Sequence, residues 1–170
     1  MECGNLFFDY SPEKTAFILL AEIKKQLSEL SKKSNKPIES FASTLCFACL
    51  EKKTNRLMTF QLGDSNLYLI SENGCRFSLD EKAVPQAFTV YEDADEKAAV
   101  SVCAADGLNA VLLCSDGAWR EFYEKGDFNK ELYEALKRSD FFRLKSFLEE
   151  RSCADDCSYI LMNFNKNKAA

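Results

Sequence analysis

Val111-Leu112-Leu113-Cys114-Ser115-Asp116-Gly117-Ala118-Trp119 is the stretch on which the fold turns. Four apolar residues in succession predict a buried strand. Ser115-Asp116-Gly117 ends that strand with turn chemistry. Ala118-Trp119-Arg120-Glu121-Phe122 then reads as the first turn of a helix. A carboxylate held at the rigid end of a buried strand is placed to ligate a metal ion or to move a proton. The plainer alternative is an Asp that caps the helix after the strand.

Around this stretch the chain alternates strand runs with tight turns. Upstream, Ser11-Pro12-Glu13 is a helix start: a capping hydroxyl, Pro at the first position and an acid in the first turn. Phe17, Leu20, Ile23, Leu27 and Leu30 recur at helical spacing and predict an amphipathic helix over 12–33, ended by Ser34-Asn35-Lys36-Pro37. Strands are expected over 43–50, 57–62 and 67–71. The second ends at Gly63-Asp64-Ser65, where Asp64 is a turn carboxylate or a ligand. Glu72-Asn73-Gly74 closes a hairpin into Cys75-Arg76-Phe77. The acids Glu92, Asp93, Asp95 and Glu96 read as a solvated loop, and residues 101–104 as a strand before the central one. Two helices are expected over 129–138 and 141–150, then Asp155-Asp156 and a last strand over 158–164. These strands predict antiparallel sheets with helix 12–33 packed outside.

Composition excludes several functions. At 170 residues the chain suits one domain with a sizeable core, and 46% hydrophobic with 29% charged residues is ordinary for a globular protein. A net charge of -5 argues against a nucleic-acid partner. No signal peptide is evident, and the longest apolar runs are too short to span a bilayer, so no membrane partner is expected. The eight cysteines lie inside apolar runs, which points to free thiols in a reducing, cytoplasmic setting. Cys46 and Cys49 have zinc-like spacing, but an odd offset on a strand sends them to opposite faces. The absence of histidine removes Ser-His-Asp and Cys-His catalysis and the common zinc sites. Carboxylates at strand ends remain: Asp64, Asp116 and the Asp155-Asp156 pair, oxygen donors suited to a hard divalent cation.

Four of these pieces, in order, resemble the metal-dependent protein phosphatases of the PPM class, type 2C. Phe41-Ala42-Ser43-Thr44-Leu45 is similar to that family's Ser/Thr-Thr strand. Leu62-Gly63-Asp64-Ser65-Asn66-Leu67-Tyr68-Leu69 is similar to its Gly-Asp-Ser hairpin. Leu112-Leu113-Cys114-Ser115-Asp116-Gly117-Ala118-Trp119 is similar to its Ser-Asp-Gly motif. Asp155-Asp156-Cys157-Ser158-Tyr159-Ile160 is similar to the Asp-Asn/Asp element before its last strand. The resemblance is clearest over 41–164 and treats 1–170 as a single domain. It implies an α/β (α+β) fold, a partial α-β-β-α sandwich of two antiparallel sheets flanked by helices. It also implies two Mg or Mn ions bridging a water that attacks phosphoserine or phosphothreonine in a protein substrate. By motif, Asp116 and Asp156 are the implied ligands of the metal pair, Asp64 matches a weaker third-metal position, and Asp155 is the neighbour that points elsewhere.

One part of the pattern is missing. The family begins with an acidic pair on its first strand and an Asp-Gly motif after its second, and neither stands here. Asp9 follows Leu6-Phe7-Phe8 but has no Gly beside it. Helix 12–33 matches the one just ahead of the Ser-Thr strand, so the domain reads as N-terminally incomplete. Three readings stay open: a phosphatase lacking its N-terminal part, a non-catalytic module that binds a protein partner, and a plain structural domain with capping carboxylates. Strands lost with such a segment leave bare sheet edges, from which a homodimer or a partner strand is expected. With only two or three acids to hold the ions, little phosphatase activity is expected.

Overall fold

The central run is a strand buried on both faces, which is why it shows no alternation. The computed structural model describes residues 10–77, 88–151 and 156–164. Asp9, Asp80, Glu81 and Asp155 lie outside them. The chain divides into two compact units, one from residues 1–65 and 79–104, the other from 66–78 and 105–170.

In the first unit, helix α1 (Pro12–Ser34) starts where Ser11 accepts a hydrogen bond from the Lys14 N–H at 3.3 Å. It ends at Asn35, whose φ of 52° turns the chain out of the helix while its N–H donates to the Ser31 carbonyl. A 3-10 turn (Ile38–Phe41) leads to β1 (Leu45–Glu51) and β2 (Arg56–Leu62). After α2 (Ala94–Lys97), β5 (Ala99–Ala104) joins the far side of β2, giving the antiparallel order β1-β2-β5. Ala16 and Leu20 of α1 pack with Phe60 and Leu62 of β2, and Ala94 joins them. The expected helix stripe is corrected in part. Ala16, Leu20, Ile23 and Leu27 form the inward line, whereas Phe17 and Leu30 are 60% and 45% exposed. Phe17 lies one residue, about 100° of helix, round from Ala16, which carries it off the buried face.

The second unit is built on β3 (Asn66–Ser71), β4 (Gly74–Phe77), β6 (Leu108–Cys114) and β9 (Tyr159–Asn163), in the antiparallel order β4-β3-β6-β9. β6 is central: Tyr68 and Leu161 both stand opposite Leu112. Tyr68, Ile70, Ala110, Leu112, Cys114 and Leu161 pack with Phe122 and with residues of α4 (Lys130–Lys137) and α5 (Phe141–Glu149). Leu67, Leu69 and Val111 on the other face are buried as well. Asn129 and Asp140 cap α4 and α5 by accepting from the Leu132 and Arg143 N–H groups, each at 2.9 Å. Helix α4 is fastened to the β3–β4 corner, because the Tyr133 hydroxyl donates to the Ser71 carbonyl at 2.8 Å.

The strands and helices read from the sequence are present with shifted ends: β1 begins two residues later than expected, β5 two earlier and β6 three earlier. The acids at 92–96, read as a solvated loop, are corrected in part, since Asp95 and Glu96 lie in α2. The helix expected after Asp116 is one turn only, α3 (Asp116–Trp119), followed by a 3-10 turn (Arg120–Phe122). A small hairpin, β7 (Tyr123–Glu124) and β8 (Asp127–Phe128), follows that turn and has no counterpart among the expected elements. Its two loop residues, Lys125 and Gly126, have φ of 53° and 90°, the handedness that a two-residue hairpin loop needs. Lys is a poor signal for that conformation, so this turn carries little warning in its residues. Among the described residues no helix is long and apolar enough to cross a membrane.

Candidate functional site

The site begins where β6 runs out. β6 is paired on both sides up to Cys114, with Asn66 of β3 and Tyr159 of β9 opposite. The ladder continues one residue further, as the Ser115 N–H donates to the Ser158 carbonyl at 2.9 Å. The Ser115 side chain does not cap the short helix that follows. Its hydroxyl donates to the Asp156 carbonyl at 2.9 Å and accepts from the Ser158 N–H at 3.0 Å. One side chain thus ties the end of the central strand to the segment entering β9. The turn itself closes through the N–H groups of Ala118 and Trp119, both donating to the Ser115 carbonyl at 3.1 Å.

Asp116 is the first residue of α3, and its side chain is 23% exposed. Its carboxylate is paired with Arg120, Oδ2 to Nη2 at 3.2 Å. The Arg120 guanidinium also lies over the Trp119 ring, 5.8 Å from its centroid. Neither the capping alternative nor an open carboxylate describes Asp116: it is held by a cation from its own helical turn. Asp156 is exposed, and its main chain is fixed against Ser115. The structure therefore brings Asp116 and Asp156 to the same end of one sheet through the residue that precedes Asp116.

Asp64 belongs to the other compact unit. It is half-buried and follows Gly63, whose φ of 91° makes the turn out of β2. The neighbouring Ser65 hydroxyl stands 3.0 Å from the Thr44 hydroxyl, so the Ser43-Thr44 and Gly63-Asp64-Ser65 motifs are joined by a hydrogen bond. The spacing of the motifs bears no sign of that link. Arg120, also missed, could have been found: four residues after Asp116 on a helical turn is a charge-pairing position.

Behind the site the core is neutral. Burial pushes the Tyr68 phenol well above its ordinary value. Burial likewise raises Tyr123, and it pushes the Cys75 thiol up to about 12. These groups hold their protons at neutral pH and are poor nucleophiles or bases there. The chemistry of the site therefore rests on its carboxylates. Among the described residues no three Asp, Glu, Cys or His side chains stand together to hold an ion. A two-ion centre needs more oxygen donors than Asp116 and Asp156 supply, so the described donor set does not fit one.

A family model described as Protein phosphatase 2C matches residues 9–150. No curated protein sequence matches the chain. Among solved structures, the chain is similar to the Mycobacterium tuberculosis serine/threonine phosphatase PstP/Ppp, at 16% identity and a TM-score of 0.63, covering 84% of this chain and 68% of that one. It is also similar to the serine/threonine phosphatase Stp1 from Staphylococcus aureus, at 12% identity and a TM-score of 0.62, covering 97% of this chain and 72% of that one. A C. elegans sex determining protein shows the same likeness at 15% identity and a TM-score of 0.60, over 86% of this chain and 45% of that one. At these identities the structures bear on fold. The chain spans from under half to about three quarters of these three neighbours' lengths.

Proposed function

This chain belongs to the protein phosphatase 2C family, and from that premise we propose that it is a phosphatase-like protein that engages phosphoserine and phosphothreonine in proteins while hydrolysing them weakly or not at all by itself. One observation carries the reading. The Ser-Asp-Gly turn is built and clamped by Ser115, yet the Asp116 carboxylate is taken up by Arg120. Divalent Mg or Mn is the cofactor class that the family implies. Asp116, with Asp156 at the same end of the sheet, holds at most one such ion weakly, and Asp64 is a further candidate ligand within its own unit. The chemistry that a second fixed ion supplies is then missing. The scaffold that presents the site stands, which suits recognition of a phosphorylated protein in the cytoplasm.

The test is phosphate release from a phosphothreonine peptide and from an aryl phosphate in millimolar Mn, for the wild type and Asp116→Asn. Binding of the same peptide is measured by fluorescence anisotropy. Peptide binding with no turnover in either protein is the expected result. Strong Mn-dependent turnover lost in Asp116→Asn would show a working hydrolase and overturn the reading. A second reading, a fragment of an active enzyme, is favoured by the intact Ser115 clamp. It gains support if turnover appears once an upstream segment bearing an acidic pair and an Asp-Gly motif is joined to the chain.

A further inference from the structure

We propose that Arg120 is the resident counter-cation of Asp116 and that it keeps divalent ions from this turn. The inference rests on the reading of Asp116 as a candidate ion ligand. An ion pair four residues apart on a helical surface is common and by itself stabilises little. Three features separate this one from the ordinary case.

The first is the identity of the acid. Asp116 is the carboxylate of the Ser-Asp-Gly turn, fixed at the end of the central strand, so Arg120 neutralises the one group best placed to receive an ion. The second is anchoring. The Arg120 N–H donates to the carbonyls of Ala118 and Asp116, which fixes the start of the side chain. The guanidinium then meets both the Asp116 carboxylate and the face of Trp119. Trp119 itself packs against the core of its unit, so the platform under the arginine is rigid. The third is solvation. The Asp116 side chain is 23% exposed and that of Arg120 59%, so the acid is partly withdrawn from water while the arginine can still reach solvent. A partly desolvated carboxylate needs a positive partner, and the arginine supplies it without an ion.

The consequence is electrostatic. An incoming divalent cation meets a carboxylate whose charge is already balanced and a guanidinium close by. A unit positive charge at about 5 Å in a water-like medium weakens binding of a doubly charged ion roughly tenfold. Because most of the arginine is exposed, its removal leaves the core untouched.

The experiment is an equilibrium titration of the full chain with Mn²⁺, reading free Mn²⁺ by electron paramagnetic resonance. It compares the wild type, Arg120→Gln, Arg120→Lys, Asp116→Asn and the Arg120→Gln/Asp116→Asn pair. Circular dichroism checks that each variant is folded. Arg120→Gln is expected to bind Mn²⁺ about tenfold more tightly than the wild type. Arg120→Lys keeps the charge and stays near the wild type. Adding Asp116→Asn to Arg120→Gln removes the gain. If Arg120→Gln gains nothing while Asp116→Asn lowers affinity in both backgrounds, Asp116 is an ion ligand and the role assigned to Arg120 is wrong. If Asp116→Asn changes nothing in either background, Asp116 is not an ion ligand, and the underlying reading falls together with this one.

Discussion

Replacing Ser115 by Ala removes one hydroxyl and two hydrogen bonds, the donation to the Asp156 carbonyl and the acceptance from the Ser158 N–H. Each such bond contributes roughly 0.5–1.5 kcal/mol net. Both lie where water can reach, so solvent replaces part of the loss. The expected destabilisation is about 1 kcal/mol, at the lower end of the summed range. Native-state amide exchange resolves the effect by residue. The Ser158 N–H is bonded to the Ser115 hydroxyl, whereas the Ser115 N–H is bonded to the Ser158 carbonyl and keeps its partner in the variant. Exchange at Ser158 should therefore accelerate about fivefold to tenfold, since about 1.4 kcal/mol corresponds to a factor of about ten. Exchange at Ser115 should change far less, and Ser115→Thr should retain most of the protection. An unchanged Ser158 rate with an unchanged urea midpoint would refute the clamp. Equal loss at Ser115 and Ser158 would show that the whole ladder between β6 and β9 depends on the hydroxyl, against a purely local role for it.

Phe122 is fully buried, with ring centroids 5.9, 6.0 and 6.5 Å from those of Tyr68, Phe128 and Phe147. Phe122→Ala should cost about 3–5 kcal/mol in urea unfolding, and a loss below about 1 kcal/mol would remove this ring from the core. Burial pushes the Cys46 and Cys75 thiols from 9.0 to about 12 in the folded chain. The folded state then keeps protons that the unfolded state releases, so the contribution of these two thiols to stability is level below pH 9 and falls as pH rises from 9 towards 12. The slope is up to about 1.4 kcal/mol per pH unit for each thiol. Urea midpoints between pH 8 and pH 11 should fall more steeply in the wild type than in Cys46→Ala/Cys75→Ala, and parallel slopes would contradict the assignment.

Whatever depends on neighbours along the chain was legible in the residues alone. A continuous apolar run marked β6, and Ser-Asp-Gly marked its end. Ser11-Pro12 marked the start of α1, and Glu72-Asn73-Gly74 marked the β3–β4 hairpin. Each of these is set by propensity, capping or period, which act over a few residues. Which strands lie side by side was settled by packing, since β5 joins β2, and β6 joins β3, across long stretches of chain. Packing also settled the face that α1 buries, because Phe17 and Ala16 are both apolar and only the packing partner tells them apart. At the site, Asp116 and Asp156 stood out from the sequence as strand-end carboxylates. Their joining through Ser115 spans 41 residues, and no local pattern encodes a hydrogen bond of that separation. The pairing of Asp116 with Arg120 was within reach of the helical spacing rule, but it took the folded turn, with Trp119 beneath the guanidinium, to make an arginine four residues on the fixed partner of that acid.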